Sequence, residues 1–212
     1  MVTASQVKGG HEIMGVNQNE ALGLMREILQ DGFFDLQVEC YELQEDLAEG
    51  ICTICMSVRN KTTGELLSIE GRGVGLVDAA FQGLIGRLSS EYPSLRSISF
   101  SLFDLKGLLD SGGPSRTDAE AQVAIGVRNS YGSEFRFERT SRSVSHACIQ
   151  ATTDAVEYFV NSERTFIKLY QIRNYWEQGK RQDLVEKYTE MMTRIVVNTS
   201  YSEVIERIRK QG

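Results

Sequence analysis

The sequence contains an internal repeat of about 68 residues, so the fold is expected to consist of two similar units. A Val-Arg-Asn tripeptide occupies residues 58–60 and recurs at residues 127–129. Farther along the chain, Ala79 corresponds to Ala147 at an offset of 68 residues. Each match is short by itself. The two copies also share one order of predicted elements, and this shared order supports the repeat.

Each copy is predicted to form three strands followed by one helix. Apolar residues at strand spacing predict strands over residues 34–43, 51–58 and 65–70 in the first copy, and over 97–105, 121–127 and 135–139 in the second. Apolar residues at helical spacing predict helices over residues 76–90 and 144–161. The sequence therefore predicts an α+β fold with two βββα units, residues 34–92 and 93–161, in which a helix covers each sheet.

Helical segments flank the repeat on both sides. An N-terminal segment, residues 1–33, contains one predicted helix over residues 18–30, and residues 162–212 are predicted to form a C-terminal helical extension. This extension has 10 basic and 7 acidic residues, whereas the whole chain has a net charge of −6. The basic extension either docks on the acidic remainder of the same chain or binds an external partner.

The charge of the chain excludes some classes of protein. With 23 basic and 29 acidic residues, the chain lacks the basic surface typical of nucleic-acid binding proteins. It has no run of ~18–20 apolar residues that would span a membrane and no signal-peptide pattern near its start. These features predict a cytoplasmic protein that binds neither nucleic acid nor membrane.

Cys52 and Cys55 form a Cys-x-x-Cys motif within a predicted strand. Residues three apart in a strand point to opposite faces of the sheet, so this pair is not expected to bind a metal or to act as a redox couple. The four cysteines of the chain are expected to be reduced.

A glycine-rich segment, Gly71-Arg-Gly73-Val-Gly75, joins a predicted strand to a predicted helix. It departs from the dinucleotide-binding fingerprint, because Leu76 stands at the position of the last glycine. Free backbone N–H groups at a helix N-terminus attract a carboxylate or another anion. The glycines therefore serve either a small carboxylate ligand or only a tight turn.

Residues 73–81, Gly-Val-Gly-Leu-Val-Asp-Ala-Ala-Phe, resemble the Gly-x-Gly-Pro-Val-Asp-Ala-x-Phe stretch of the C-terminal regulatory domain of 2-isopropylmalate synthase and citramalate synthase. Residues 117–123, Thr-Asp-Ala-Glu-Ala-Gln-Val, resemble the strand entry of the second unit of that domain. Residues 141–152, Ser-Arg-Ser-Val-Ser-His-Ala-Cys-Ile-Gln-Ala-Thr, followed by Asn161, are similar to its second helix motif. The resemblance covers residues 34–161.

This resemblance implies an allosteric dimerisation module of leucine biosynthesis, which binds leucine or isoleucine as a feedback inhibitor near the subunit interface. By the resemblance, the first turn would contact the ligand, and strands of the second unit would line an apolar pocket. The corresponding ligand-binding residues are Gly73, Gly75 and Asp78 in the turn, and Phe100, Phe103, Gly107 and Ala119 in the second unit.

The sequence departs from the family pattern in both units. Leu76 replaces a proline, Ser141 and Ser143 replace two glycines, and Ala147 replaces an aspartate. The second motif is therefore either a weakened ligand site or a purely structural copy.

The catalytic barrel of the family is not expected in this chain, because such a barrel needs ~250 residues. The barrel binds a divalent metal through an Asp and a His-x-His pair, and the only histidines here are His11 and His146. We therefore expect no enzymatic activity, no metal site of that type and no cofactor. His146 lies near the start of the second predicted helix. It acts either as a pH switch or general base, or it is an ordinary surface or packing residue.

Two functions remain open. The first is a free-standing sensor, a homodimer that binds an amino acid or a similar carboxylate. The second is a structural partner subunit that keeps the dimer fold without a ligand and docks on a separately encoded synthase. A homodimer is expected in both cases, because a sheet covered by one helix leaves an apolar face to be buried.

Overall fold

The computed structural model describes residues 18–108, 119–198 and 200–211, and it confirms the α+β fold. Helix α1 (Gln18–Leu29) comes first. The first unit consists of β1 (Leu36–Asp46), β2 (Ile51–Asn60), β3 (Leu66–Gly73) and α2 (Leu76–Leu88). The second unit consists of β4 (Ser99–Leu108), β5 (Glu120–Arg128), β6 (Glu134–Ser141) and α3 (Val144–Gln178). Two helices follow, α4 (Gln182–Val196) and α5 (Ser202–Gln211).

Each unit contains a three-stranded antiparallel sheet, with strand orders β1-β2-β3 and β4-β5-β6. The two sheets share the same strand order and also a β-bulge between their first two strands. The β1–β2 register shifts just after Val38, which pairs with Val58. The β4–β5 register shifts just after Phe100, which pairs with Val127. Because Val58 and Val127 are matching residues of the repeat, the β-bulge lies at the same place in both units.

The central strand of each sheet supplies much of the core. In β2 the buried residues alternate with more exposed ones, so Cys52 is buried and Cys55 is exposed. The two thiols therefore point to opposite faces, as predicted. Helix α2 packs on β2 and β3, helix α3 packs on β5 and β6, and the two helices contact each other. One continuous apolar core therefore joins the two units.

The repeated tripeptide has a structural role in each unit. The Asn60 side-chain oxygen accepts a hydrogen bond from the N–H of Thr62 at 2.9 Å. The Asn129 side-chain oxygen accepts from the N–H groups of Tyr131 at 3.0 Å and Ser133 at 2.9 Å. Both asparagines are buried and fix the turn that leads into the third strand. Each copy of the tripeptide thus contains a core valine and a turn-forming asparagine.

The predicted end of the second-unit helix at Asn161 is wrong, because α3 continues without a break to Gln178. Buried apolar residues such as Phe166 and Leu169 continue the helical pattern, and the next glycine is Gly179. The predicted boundary between the second unit and the C-terminal extension, between residues 161 and 162, therefore lies within α3.

The C-terminal extension packs on the rest of the same chain. Helix α4 lies along α3, and the Asn129 side-chain amide of the second unit donates hydrogen bonds to the carbonyl oxygens of Val197 at 3.0 Å and Asn198 at 2.8 Å. An ion pair between the extension and the units joins Arg96 to Glu203 at 3.1 Å. The acid of this pair comes from the extension, so the basic charge of the extension does not form this contact. Across the described ranges, no helix is sufficiently long and apolar to cross a membrane.

Candidate functional site

The glycines before α2 lie where a strand and a helix approach each other closely. A Cβ atom on Gly71 would lie 2.0 Å from the carbonyl oxygen of Ala79 and 2.8 Å from the backbone nitrogen of Gly83. Both atoms belong to the backbone of α2, so neither moves aside easily. Gly71 and Gly83 therefore serve the packing of β3 on α2.

Gly73 and Asp78 contact each other at the inner side of the first turn. A Cβ atom on Gly73 would lie 2.5 Å from Asp78 Oδ2 and 2.6 Å from the backbone nitrogen of Ala79. The same carboxylate oxygen accepts a hydrogen bond from the N–H of Val74 at 3.1 Å, and Asp78 Oδ1 accepts one from the Gln82 amide at 3.3 Å. A carboxylate of the chain itself therefore occupies this side of the turn.

The outer side of the first turn is open. Gly75 precedes the first residue of α2 and has an extended backbone with φ −173°, which any residue adopts. A Cβ atom on Gly75 would meet nothing within 4 Å, and the neighbouring Val74 is exposed. An anion can therefore approach the N-terminal N–H groups of α2 from the side of Gly75.

The second group of predicted ligand residues lies on β4, an edge strand of its sheet. Phe100 and Phe103 face the same side of the sheet as the buried β5 residues with which they pair. The Phe100 ring contacts Phe81 of α2, with centroids 6.3 Å apart, and Phe103 is 46% exposed. Gly107 lies farther along the strand, and Ala119 directly precedes β5.

The structure brings some of the predicted residues together and leaves others apart. Gly73, Gly75 and Asp78 form one group, and the contact of Phe100 with Phe81 connects β4 to the helix of that group. In the described part of the chain, no hydrogen bond, ion pair or ring contact joins the first-turn residues to Phe103, Gly107 or Ala119. Thr117 and Asp118, and also His11, lie outside the described residues.

The serines that replace the two glycines of the second motif form the N-terminal cap of α3. Ser143 Oγ accepts a hydrogen bond from the N–H of His146 at 3.3 Å, as N-cap residues do. Ser141 Oγ accepts one from the N–H of Ser143 at 3.1 Å. Ala147, at the aspartate position of the family motif, is fully buried. The side chains of Ser141 and Ser143 therefore accept hydrogen bonds from backbone N–H groups of the second turn.

A polar cleft of about 510 Å³, which the sequence did not predict, lies between the start of β1 and α3. Along α3, it is lined by residues spaced three or four apart, including His146, Gln150, Asp154 and Glu157. Arg139 of β6 binds the Asp154 carboxylate through two hydrogen bonds, of 2.5 and 2.7 Å. The sequence does contain a signal for this cleft, because these polar residues form a stripe beside the apolar face of α3.

Glu157 is the carboxyl group of the cleft with the most perturbed acidity. Its Oε1 accepts a hydrogen bond from the N–H of Leu36 at 2.5 Å. Burial raises the pKa of Glu157 to about 8, and the charges of Asp154 and Asp35 add to this increase. The Leu36 hydrogen bond and Lys61 act in the opposite direction. At neutral pH the Glu157 carboxyl group is therefore mostly protonated.

Among the described residues, no group of three or more His, Cys, Asp or Glu side chains is arranged to bind a metal ion. No family model matches this sequence, and no curated protein is significantly similar to it.

Proposed function

We propose that the chain is a non-catalytic, homodimeric regulatory module that binds a branched-chain amino acid or a similar small carboxylate. This function is the one implied by its resemblance to the regulatory domain of 2-isopropylmalate synthase. The observation that carries the proposal is a set of exposed apolar side chains on both faces of the edge strand β4. The module would act in the cytoplasm, and no residue is assigned a catalytic role.

Strand β4 exposes far more apolar surface than an edge strand in contact with water usually does. Five of its ten residues are large apolar residues that are between 38% and 47% exposed. They are Phe100, Leu102, Phe103, Leu105 and Leu108. Helix α3 packs mainly on β5 and β6, so β4 is the less covered edge of this sheet. A second copy of the chain would bury this strand.

The sequence of β4 suits antiparallel pairing with itself around a two-fold axis at Leu105. In this register, Asp104 lies opposite Lys106 of the second copy, which pairs opposite charges. Phe103 lies opposite Gly107 of the second copy, and a Cβ atom on Gly107 would meet nothing within 4 Å, so the ring has space. Pairing centred on Asp104 or on Lys106 would instead bring like charges together. The proposed dimer therefore has a continuous six-stranded sheet.

The first turn is the proposed place of the ligand carboxylate. The open side at Gly75 gives access to the N–H groups at the start of α2 and to the positive end of the helix dipole. The inner side of the turn is occupied by the Asp78 carboxylate, which accepts a hydrogen bond from the N–H of Val74, and this favours the alternative function. In that alternative, the chain is a structural partner subunit of a separate synthase and binds no ligand.

Isothermal titration calorimetry with leucine, isoleucine, valine and their 2-oxo acids tests the ligand proposal. A bulky residue at Gly75 should block the open side of the turn without disturbing the packing, so Gly75→Val should weaken binding about tenfold or more. The matched control is Ser143→Val at the corresponding position of the second turn, which should bind as the parent protein does. Circular dichroism must show that both variants are folded at the temperature of the titration; Ser143→Val also removes the N-cap of α3, so its melting temperature is expected to fall.

Two results would contradict this site. If none of these compounds binds at about millimolar concentration, the partner-subunit function takes its place. If one binds and folded Gly75→Val binds it equally well, the ligand site lies elsewhere.

A further inference from the structure

The cleft between β1 and α3 contains one more carboxyl group than its cations balance. Lys61 pairs with Asp35 at 3.2 Å, and Arg139 pairs with Asp154 at 2.5 Å. Glu157 is the remaining carboxyl group, and no cation of the described residues lies within ion-pair distance of it. Ionisation of Glu157 would therefore leave one uncompensated negative charge beside the cleft.

The size and the lining of the cleft indicate an organic occupant. A volume of about 510 Å³ is that of a small-molecule site and far exceeds the volume of a bare ion. The described residues also offer no arrangement of metal ligands here. His146 and Gln150 stand on the same helix as Glu157 and bring further hydrogen-bonding groups to the cleft.

We propose that the cleft between β1 and α3 binds a small organic molecule with a primary ammonium group, which pairs with the carboxylate of Glu157. The ammonium group supplies the positive charge that the cleft lacks once Glu157 is ionised. It also offers three hydrogen-bond donors, of which one suffices for Glu157 and the others are available to neighbouring acceptors. This site is independent of the proposed carboxylate site at the first turn.

Binding of this kind is coupled to the loss of a proton. Glu157 is mostly protonated at neutral pH, so a bound ammonium group must displace the carboxyl proton to gain its counter-ion. The apparent affinity should therefore rise with pH, by up to about tenfold per pH unit, until about pH 8, and then level off. The titratable and charged groups that face Glu157 are Asp35 before β1, Lys61 in the β2–β3 turn, Arg139 on β6, and His146 and Asp154 on α3.

Calorimetry of the full chain at about pH 7, in two buffers with different heats of ionisation, measures both the binding and the protons released. The probes are propylamine, 1,4-diaminobutane and alanine, of which only alanine also carries a carboxylate. They distinguish simple amines from amino acids as the source of the ammonium group. Propionate lacks an ammonium group and is the control compound. The expected result is saturable binding of at least one ammonium compound, with release of about one proton per site.

The variant that tests the counter-ion is Glu157→Gln, which keeps an oxygen to accept from the N–H of Leu36 but carries no charge. We expect ammonium binding at least about tenfold weaker, without proton release. The matched control is Glu163→Gln on the same helix. Glu163 is also buried and also accepts from a backbone N–H, that of Ser94 at 3.0 Å, but it does not line the cleft. This control should bind the probe like the parent protein, provided that both variants melt as the parent does.

The proposal is wrong if no ammonium compound binds up to about 10 mM, or if propionate binds and the ammonium compounds do not. Binding without proton release from the parent protein would also contradict it, and this measurement needs no variant. His146→Gln tests whether another side chain of the cleft causes the pH dependence, which should persist in this variant and vanish in folded Glu157→Gln.

Discussion

At the scale of single residues, the glycines of the first turn have different roles although they are close in sequence. Gly71 faces the backbone of α2 across a gap that has no room for a Cβ atom, whereas Gly75 faces open space. The sequence predicted a glycine-rich turn but could not distinguish these roles, because they depend on the distance between β3 and α2. Spacing along the chain contains no information about that distance.

Gly71→Ala should destabilise the protein by about 1–3 kcal/mol or more, since the added methyl group forces the backbone of α2 away from β3. Gly75→Ala should change the free energy of unfolding by less than about 0.5 kcal/mol, because it adds a methyl group in open space at an extended backbone. Urea denaturation of the parent and both variants measures these differences. Equal unfolding midpoints for Gly71→Ala and the parent would contradict the close packing.

At the scale of the elements, the sequence predicted both βββα units because apolar periodicity and turn residues are local signals. The observed β2, Ile51–Asn60, and α2, Leu76–Leu88, lie within a few residues of the predicted ranges. The predicted end of this helix at residue 161 was wrong, because the apolar pattern of α3 continues through Phe166 and Leu169. In the structure, the buried Asn161 side chain binds another segment instead of ending the helix.

Asn161 joins α3 to the segment that enters β1. Its side-chain oxygen accepts from the N–H of Phe34 at 2.7 Å, and its amide donates to the carbonyl oxygen of Phe34 at 2.8 Å. Asn161→Leu should leave both Phe34 groups unpaired and lower the free energy of unfolding by about 2–5 kcal/mol. Denaturation combined with hydrogen exchange should show the greatest loss of protection at the start of β1.

Asn174→Leu is the matched control for Asn161→Leu, on the same helix. The Asn174 side chain accepts from its neighbour Arg173 at 3.1 Å and does not connect α3 to another element. We expect it to change the stability by less than about 0.5 kcal/mol. A similar effect of both variants would show that helix propensity rather than the link to Phe34 determines the result.

At the scale of the whole molecule, the cleft between β1 and α3 shows what a single sequence does not reveal. Leu36 and Glu157, which form one wall through a 2.5 Å hydrogen bond, are 121 residues apart in the chain. The repeat predicts two units but not how they pack on each other. The polar stripe on α3 was visible in the sequence, but only the approach of β1 from the first unit turns it into a cleft.

The central claim of a homodimer formed through β4 is tested most directly by the molar mass in solution, measured by light scattering at micromolar concentration. The parent protein should have about twice the chain mass of 23.8 kDa. Leu105→Asp places two like charges opposite each other at the proposed two-fold axis and should reduce the mass to that of one chain. Leu66→Asp is the matched control, because Leu66 is an exposed leucine on β3, an edge strand of the other sheet, and this variant should stay dimeric. A parent mass of one chain, or a folded Leu105→Asp variant that stays dimeric, would contradict the account.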